Sequence, residues 1–332
     1  MIRIGILGAA RIAPMALIEP AKKLAGVEVT AIAARDPEKA RAFAKKHEIP
    51  VVCDSYDELI AREDIDAIYN PLPNSLHAEW SIKALKAGKD VLCEKPFANN
   101  EQDAKAMVEA ANASTQVLME AFHYRYHPLI QRVKELVPTL GKIKHIHTSM
   151  CFPLPMFNDI RYNYALGGGA TMDVGAYTTN LLRLVAKASG DPDLAALPDV
   201  DQAKASLKGA EIDRHMETHL SWPNGTTART SNSLWSWKLV SLKLEVEGEN
   251  GKLYIKNPYL PQLFHKLVVF NSKGKTLEKL KAESTYFYQL EEFCRRINER
   301  DFSPESHQDS IENMRLIDSI YRAAGLKLRG QE

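Results

Sequence analysis

Arg3-Ile-Gly-Ile-Leu7, followed by Gly8-Ala-Ala-Arg-Ile-Ala13 and then Pro14, is the stretch on which the fold turns. The first five residues form a β-rich run. Gly8 supplies the backbone freedom of a tight strand-to-helix turn. From Pro14 to Ala25, Met15, Ile18 and Leu24 recur near helical spacing. A helix N-terminus directly after a strand offers free N–H groups and a favourable dipole to a phosphate. The fingerprint G-x-G-x-x-G/A is met only if Ala10 stands for the middle glycine and Ala13 for the last. Position is therefore better evidence than pattern. Gly8, Ala10, Arg11 and Ile12 are candidates for holding a dinucleotide, with a plain strand–helix turn as the alternative.

Working outward, the alternation repeats. Val27 to Ala34 reads as a second strand and Pro37 to His47 as a helix with Asp36 as N-cap. A strand near Val51, a helix from Ser55 to Ala61, a strand from Asp66 to Asn70 and a helix from Ser75 to Ala87 follow. Asp90 to Glu94, a helix from Ala98 to Ala113, and a strand from Thr115 to Glu120 complete the series. Strands alternating with helices of this length predict right-handed βαβ units and a parallel sheet.

The end of the second strand bears on the cofactor. A carboxylate there binds the ribose of NAD. Here the strand ends Ala33-Ala34-Arg35-Asp36, which leaves room for a 2′-phosphate and supplies a cation. Ala34 and Arg35 point to NADP; Asp36 keeps NAD open. Pro71-Leu72-Pro73-Asn74-Ser75-Leu76-His77 forms a stiff loop at the same edge of the sheet. Asn74 or Ser75 can cap the next helix, and His77 either faces the cofactor or packs.

Val91-Leu-Cys-Glu94-Lys95-Pro96 is a buried strand ending in an acid, a base and a proline. Ligands of open α/β sheets sit beyond the carboxyl ends of the strands, so Lys95 is a candidate for chemistry as well as an ordinary strand-end lysine.

From His123 the pattern changes, which places a boundary between residues 1–122 and 123–332. His123-Tyr124-Arg125-Tyr126-His127-Pro128 is aromatic and polar, suited to a ring pocket or to a helix start. Phe152 to Phe157 is an apolar, proline-kinked loop. Asp159-Ile-Arg161 leads into Gly167-Gly-Gly169, and the helix predicted from Thr171 to Lys187 carries Asp173 and Tyr177 four apart, on one face. Five strands follow, from Lys204 to Lys256, joined by turns at Pro223-Asn-Gly225 and Glu249-Asn-Gly251, and read as an antiparallel sheet. Leu267 to Asn271 can add another. His215, Glu217 and His219 share a strand face but lack a further ligand, so no metal is expected. Helices near Tyr286–Glu299 and Gln308–Leu326 close the chain.

Composition narrows the class. The chain has 332 residues, with 43 basic and 42 acidic side chains, so neither nucleic acid nor an anionic membrane is expected as partner. Gly8, Arg11 and Pro14 break the early apolar run, against a secretory signal. No apolar stretch approaches the ~20 residues of a membrane span. Cys53, Cys93, Cys151 and Cys294 are far apart, as expected of reduced thiols in the cytoplasm.

With Gly8 to Ala13, Pro73-Asn-x-x-His77, Glu94-Lys-Pro96 and Asp173-x-x-x-Tyr177 in order, the chain resembles the glucose–fructose oxidoreductase / inositol dehydrogenase / MocA family. Leu118-Met-Glu-Ala-Phe122 with Arg125 and Pro128 is most similar to its dihydrodiol and NADP-dependent D-xylose dehydrogenase branch. Ala10 departs from the glycine common among relatives. The resemblance implies an α/β protein: an N-terminal Rossmann domain and a C-terminal α/β domain with a large, mostly antiparallel open sheet. That sheet is expected to join a homodimer or homotetramer. It also implies roles. Lys95 orients the reacting oxygen, Tyr177 is the general acid/base, and Asp173 holds substrate or supports the pair. Glu94 and Lys95 border the cofactor. Tyr124, Arg125, Phe152, Phe157 and Arg161 are pocket candidates. The expected activity is hydride transfer between NADP and an aldose such as D-xylose or glucose at C1, or a cyclic diol. Alternatives are a keto-sugar or anhydrofructose reductase and a non-catalytic dinucleotide sensor.

Overall fold

The computed structural model describes residues 1–237 and 239–331. The chain divides into two compact units: Met1–His123 with Tyr286–Ile311, and Tyr124–Thr285 with Glu312–Glu332.

The first unit is built on a six-stranded parallel sheet, ordered β3-β2-β1-β4-β5-β6. Its strands are β1 (Ile2–Leu7), β2 (Val27–Ala33), β3 (Val51–Cys53), β4 (Ala67–Asn70), β5 (Asp90–Cys93) and β6 (Leu118–Glu120). β4 and β5 are buried along their whole length, as a sheet covered on both faces requires. Strand order reverses between β1 and β4, so the switch point lies where Gly8 and Pro71 leave the sheet.

Capping explains where the helices begin. Asp36 accepts from the Glu38 and Lys39 amides and Pro37 sits at the first helical position, so Pro37–His47 starts as predicted. Asn100 accepts from the Asp103 amide and delays the expected Ala98 helix to Glu101–Asn112. The helix His77–Lys86 has no side-chain cap: it is entered through the 3-10 turn Asn74–Leu76, so neither Asn74 nor Ser75 caps it.

The late segment Tyr286–Ile311 belongs with the first unit, not with the preceding strands. Arg300 pairs with Asp90 at 2.9 Å, His307 Nε2 lies 3.0 Å from the Leu118 carbonyl, and Ser310 donates to Glu120 at 2.6 Å. These contacts reach both β5 and β6. No local pattern announces them, because the partners lie about 190 to 210 residues apart in sequence.

The second unit holds an eight-stranded sheet: β7 (Ile143–Cys151), β8 (Asp199–Lys208), β9 (Ile212–Ser221), β10 (Thr227–Ser233), β11 (Ser241–Gly248), β12 (Gly251–Lys256), β13 (Lys266–Asn271) and β14 (Gly274–Glu278). Its order is β14-β13-β12-β11-β7-β10-β9-β8. All neighbours are antiparallel except β7 and β10, which run parallel, so the sheet is mostly antiparallel. The helix Ala176–Ala188 packs on it, with Thr148 of β7 donating to the Thr178 carbonyl. β14 was not marked by the sequence patterns; a helix over Pro128–Leu136, capped by His127, takes up the helix-start reading of the His123–Pro128 segment.

Candidate active site

The predicted site residues fall on both units. On the first, Gly8 has φ +88°, and its amide donates to the Ala33 carbonyl at 2.6 Å. A Cβ there would lie 3.1 Å from Leu72 Cδ2 and 3.8 Å from the Tyr56 hydroxyl. Only glycine adopts this backbone without strain, and a side chain here would crowd Leu72. Ala10 and Ile12 are half-buried and Arg11 is exposed. The following helix opens with a widened π turn, Pro14–Ile18, and runs on as Glu19–Lys23. Ala34 is buried and Arg35 exposed at the end of β2. The Asp36 carboxylate is engaged at its cap by two amides, at 3.1 and 3.3 Å. Tyr56, which the motifs did not mark, stands beside Gly8 and meets the Trp80 ring edge-on at 4.8 Å.

The loop after β4 is tied to the loop after β5. His77 Nδ1 lies 2.8 Å from the Pro96 carbonyl and Nε2 2.8 Å from the Leu72 carbonyl. The ring is fully buried, so the reading of His77 as a cofactor ligand gives way to packing. Burial, aided by the Lys95 charge, pushes its pKa down to about 4, against the pull of the two carbonyls. Pro71 and Asn74 are half-buried and Leu72 is buried. Asn70 donates to the His77 carbonyl at 3.2 Å and to Ser81 at 3.0 Å, fixing the same loop from β4.

Glu94 has a definite structural task. Its Oε1 accepts from the Tyr69 hydroxyl at 2.7 Å and its Oε2 from the Lys95 amide at 3.2 Å. The carboxylate therefore holds the backbone of Lys95 to β4. The Lys95–Pro96 peptide is cis, and Lys95 is half-buried.

On the second unit, Asp173 lies in a π turn, Thr171–Gly175, and Tyr177 is the second residue of the α-helix that continues it. Widened turns of this kind recur at functional sites. Arg161 Nε donates to Asp173 at 2.8 Å and its Nη1 to Asp159 at 3.1 Å. The two carboxylates, Asp173 foremost, raise the Arg161 pKa further. Arg161 and Asp173 thus form one charged group. Tyr177 is 6% exposed and packs against Tyr124 and Tyr259, with ring centroids 5.9 and 5.7 Å away.

Tyr124 is corrected as a pocket residue. It is fully buried, and its hydroxyl donates to Asn180 Oδ1 at 2.6 Å, so it presents no surface to a ligand. It acts as a wall behind Tyr177, with Tyr259 closing the triangle at 5.8 Å. Phe152 and Arg125 are half-buried. Phe157 is 40% exposed and packs against Tyr162 at a tilt and against Trp235 edge to face.

Residues 2–122 match a family described as an oxidoreductase family with an NAD-binding Rossmann fold, GFO_IDH_MocA, and residues 130–254 match its C-terminal domain. The chain belongs to the Gfo/Idh/MocA oxidoreductase family. D-xylose 1-dehydrogenase (NADP(+)) 2 of Haloferax volcanii is 33% identical over 325 residues, 96% of each chain. Trans-1,2-dihydrobenzene-1,2-diol dehydrogenase of Xenopus laevis is 37% identical over 161 residues, 48% of each. A 3-ketoreductase from Actinomadura kijaniata, solved with NADP and TDP-benzene, superposes with a TM-score of 0.87 at 26% identity, over 97% of each chain. This Gfo/Idh/MocA member has the two-part α/β fold expected of it, and it is an enzyme of oxidation and reduction. Among the described residues, no helix is long and apolar enough to cross a membrane.

Proposed function

We propose that the protein is an NADP-dependent oxidoreductase acting on a sugar, an aldose such as D-xylose or glucose at C1, or on a cyclic diol. The observation that carries the reading is the end of β2, beside the Gly8 turn. Arg35 is exposed there, whereas Asp36, the one carboxylate that favours NAD, is engaged as a helix cap. Full-length likeness to an NADP-dependent sugar dehydrogenase supports the substrate class. Likeness to a 3-ketoreductase supports keto-sugar reduction as the second reading.

Bound NADP supplies the acceptor or donor of hydride. Gly8 and the first-helix amides hold its phosphates, and Arg35 holds the 2′-phosphate. Tyr177 removes the carbinol proton in oxidation and returns it in reduction. Lys95 is assigned the binding of the reacting oxygen. The Arg161–Asp173 pair orients the sugar hydroxyls.

We further propose a reducing, cytoplasmic setting, supported by four buried cysteines, and a homodimer or homotetramer joined through the eight-stranded sheet. The test of function is direct. The protein is mixed with NADP⁺ or NADPH and a panel of aldoses, diols and keto-sugars, and reduced cofactor is followed at 340 nm. Turnover is expected with at least one sugar or diol, and its loss, on the order of 10²–10⁴-fold, in Tyr177→Phe. A protein inert to the whole panel in both directions overturns the reading.

A further inference from the structure

A second charged group lies away from the residues considered so far. Asp213 and Arg329 are both fully buried and pair at 2.9 Å. A pair taken wholly out of water is a poor source of stability, because the desolvation cost offsets its attraction. What these two side chains hold is more informative. Asp213 Oδ2 accepts from the Thr171 amide at 2.7 Å, and Oδ1 accepts from the Tyr321 hydroxyl at 2.9 Å. Arg329 Nε donates to the Gly168 carbonyl at 2.5 Å, and its guanidinium stacks 4.3 Å from the Tyr321 ring centroid. One cluster therefore grips the triple-glycine loop at Gly168 and the π turn at its first residue.

The grip is transmitted in two hydrogen bonds. Gly169 N donates to the Arg161 carbonyl at 2.8 Å, and Asp173 N donates to the Gly169 carbonyl at 3.0 Å. Gly169 has φ +136°, and a Cβ on it would strike Asp213, Tyr321 and Arg329 together. The cluster packs directly on the loop backbone. Arg161, whose carbonyl the loop holds, is the residue whose side chain pairs with Asp173.

We propose that Asp213, Arg329 and Tyr321 are positioning residues: through the Gly168–Gly169 backbone they set the π turn and so the placement of Asp173 and Tyr177. The inference rests on the reading of those two residues as site groups. It assigns a role to Arg329, far from Asp213 in the chain, that neither local sequence nor the family motif carries. The charges are kept for geometry: removing either one takes a buried counter-charge away from the other.

The test uses the full chain. Arg329→Lys keeps the charge but loses the fork that reaches Gly168 and Asp213 together. The double variant Asp213→Leu/Arg329→Met removes both charges, so that no lone ion is buried if the singles fail to fold. Two readouts are taken: amide hydrogen exchange over Gly168 to Asp173, and kcat and KM with NADPH or NADP⁺ and the substrate found in the panel. Faster exchange at Gly168–Asp173 is expected in both variants, with Leu181–Ala186 still protected. A kcat loss on the order of 10²-fold is expected in the double variant, by displacement of a reacting group. Arg329→Lys should lie between it and the parent, and KM for the cofactor should stay within about twofold, as the cofactor loops are untouched. Unchanged exchange overturns the proposal; so does faster exchange with unchanged kcat. Tyr177→Phe run alongside keeps the two ideas apart: if it retains activity the acid/base assignment fails, while the exchange data still decide whether the cluster holds the turn.

Discussion

Gly169→Ala separates backbone strain from steric collision. Gly169 has φ +136°, where an L-residue is strained; positions of this kind cost about 1–3 kcal/mol. The new methyl also lies 2.7 Å from the Tyr321 hydroxyl and 2.8 Å from Arg329 Nη2, and closer still to Asp213. None of these neighbours has room to move, since all three are fully buried. Overpacking of a filled core adds about 1–3 kcal/mol. The entropy removed from the unfolded chain returns about 0.4–1 kcal/mol. The expected loss is about 2–5 kcal/mol. Gly225→Ala is the control: it has φ +86° in the β9–β10 turn, with nothing within 4 Å. There only the left-handed backbone matters, and the net cost is about 1 kcal/mol. With about 2–4 °C of midpoint per kcal/mol for a unit of this size, Gly169→Ala should melt about 4–20 °C lower and Gly225→Ala about 2–4 °C lower. Both are read by differential scanning calorimetry on the apoprotein. If Gly169→Ala melts no lower than Gly225→Ala, the packing of the cluster on the loop is refuted.

Two further outcomes follow from single positions. Arg35→Ala should raise KM for NADP⁺ by on the order of tenfold or more, leaving that for NAD⁺ within about twofold, because a charged hydrogen bond contributes about 1.5–3 kcal/mol; equal effects on both cofactors would remove Arg35 from the 2′-phosphate. His123 is buried against Tyr286, with ring centroids 4.1 Å apart, and burial with the Lys95 charge pushes its pKa down to about 3. The unfolded chain takes up that proton near pH 6.5 while the fold resists it to about pH 3, so stability falls as pH drops through this window, by about 1.4 kcal/mol per unit at most. His123→Phe should flatten the pH dependence of the urea midpoint between pH 6.5 and 4; an unchanged slope would show that His123 does not titrate across unfolding.

Much of the first unit was legible because its signals are local. A strand buried on both faces reads as a continuous apolar run, and Asp36 caps the helix within three residues of itself. The end of each strand marks where a ligand loop begins. Such signals made Gly8, Arg35, Glu94 and Lys95 candidates, and β1 and β4 do flank the switch point. The burial of Tyr124 and His77 was not legible for a related reason. Polar aromatic residues in a loop look alike whether they face solvent or are satisfied inside, and the partners that bury these two are a side chain 56 residues away and a carbonyl 19 residues away.

Sequence by itself determined the family, the alternation of strand and helix, the strand-to-helix turn at Gly8 and the Asp173/Tyr177 spacing, all written within a few residues or in a short ordered series of motifs. Tertiary structure alone decided the parallel pairing of β7 with β10, the return of Tyr286–Ile311 to the first unit, and the buried Asp213–Arg329 pair, whose members are 116 residues apart. A lone aspartate in a strand and an arginine near the end of the chain have no periodicity to betray them. They acquire meaning only when folding removes both from water and sets each as a counter-charge to the other, against the glycines of the loop before the Asp173/Tyr177 helix.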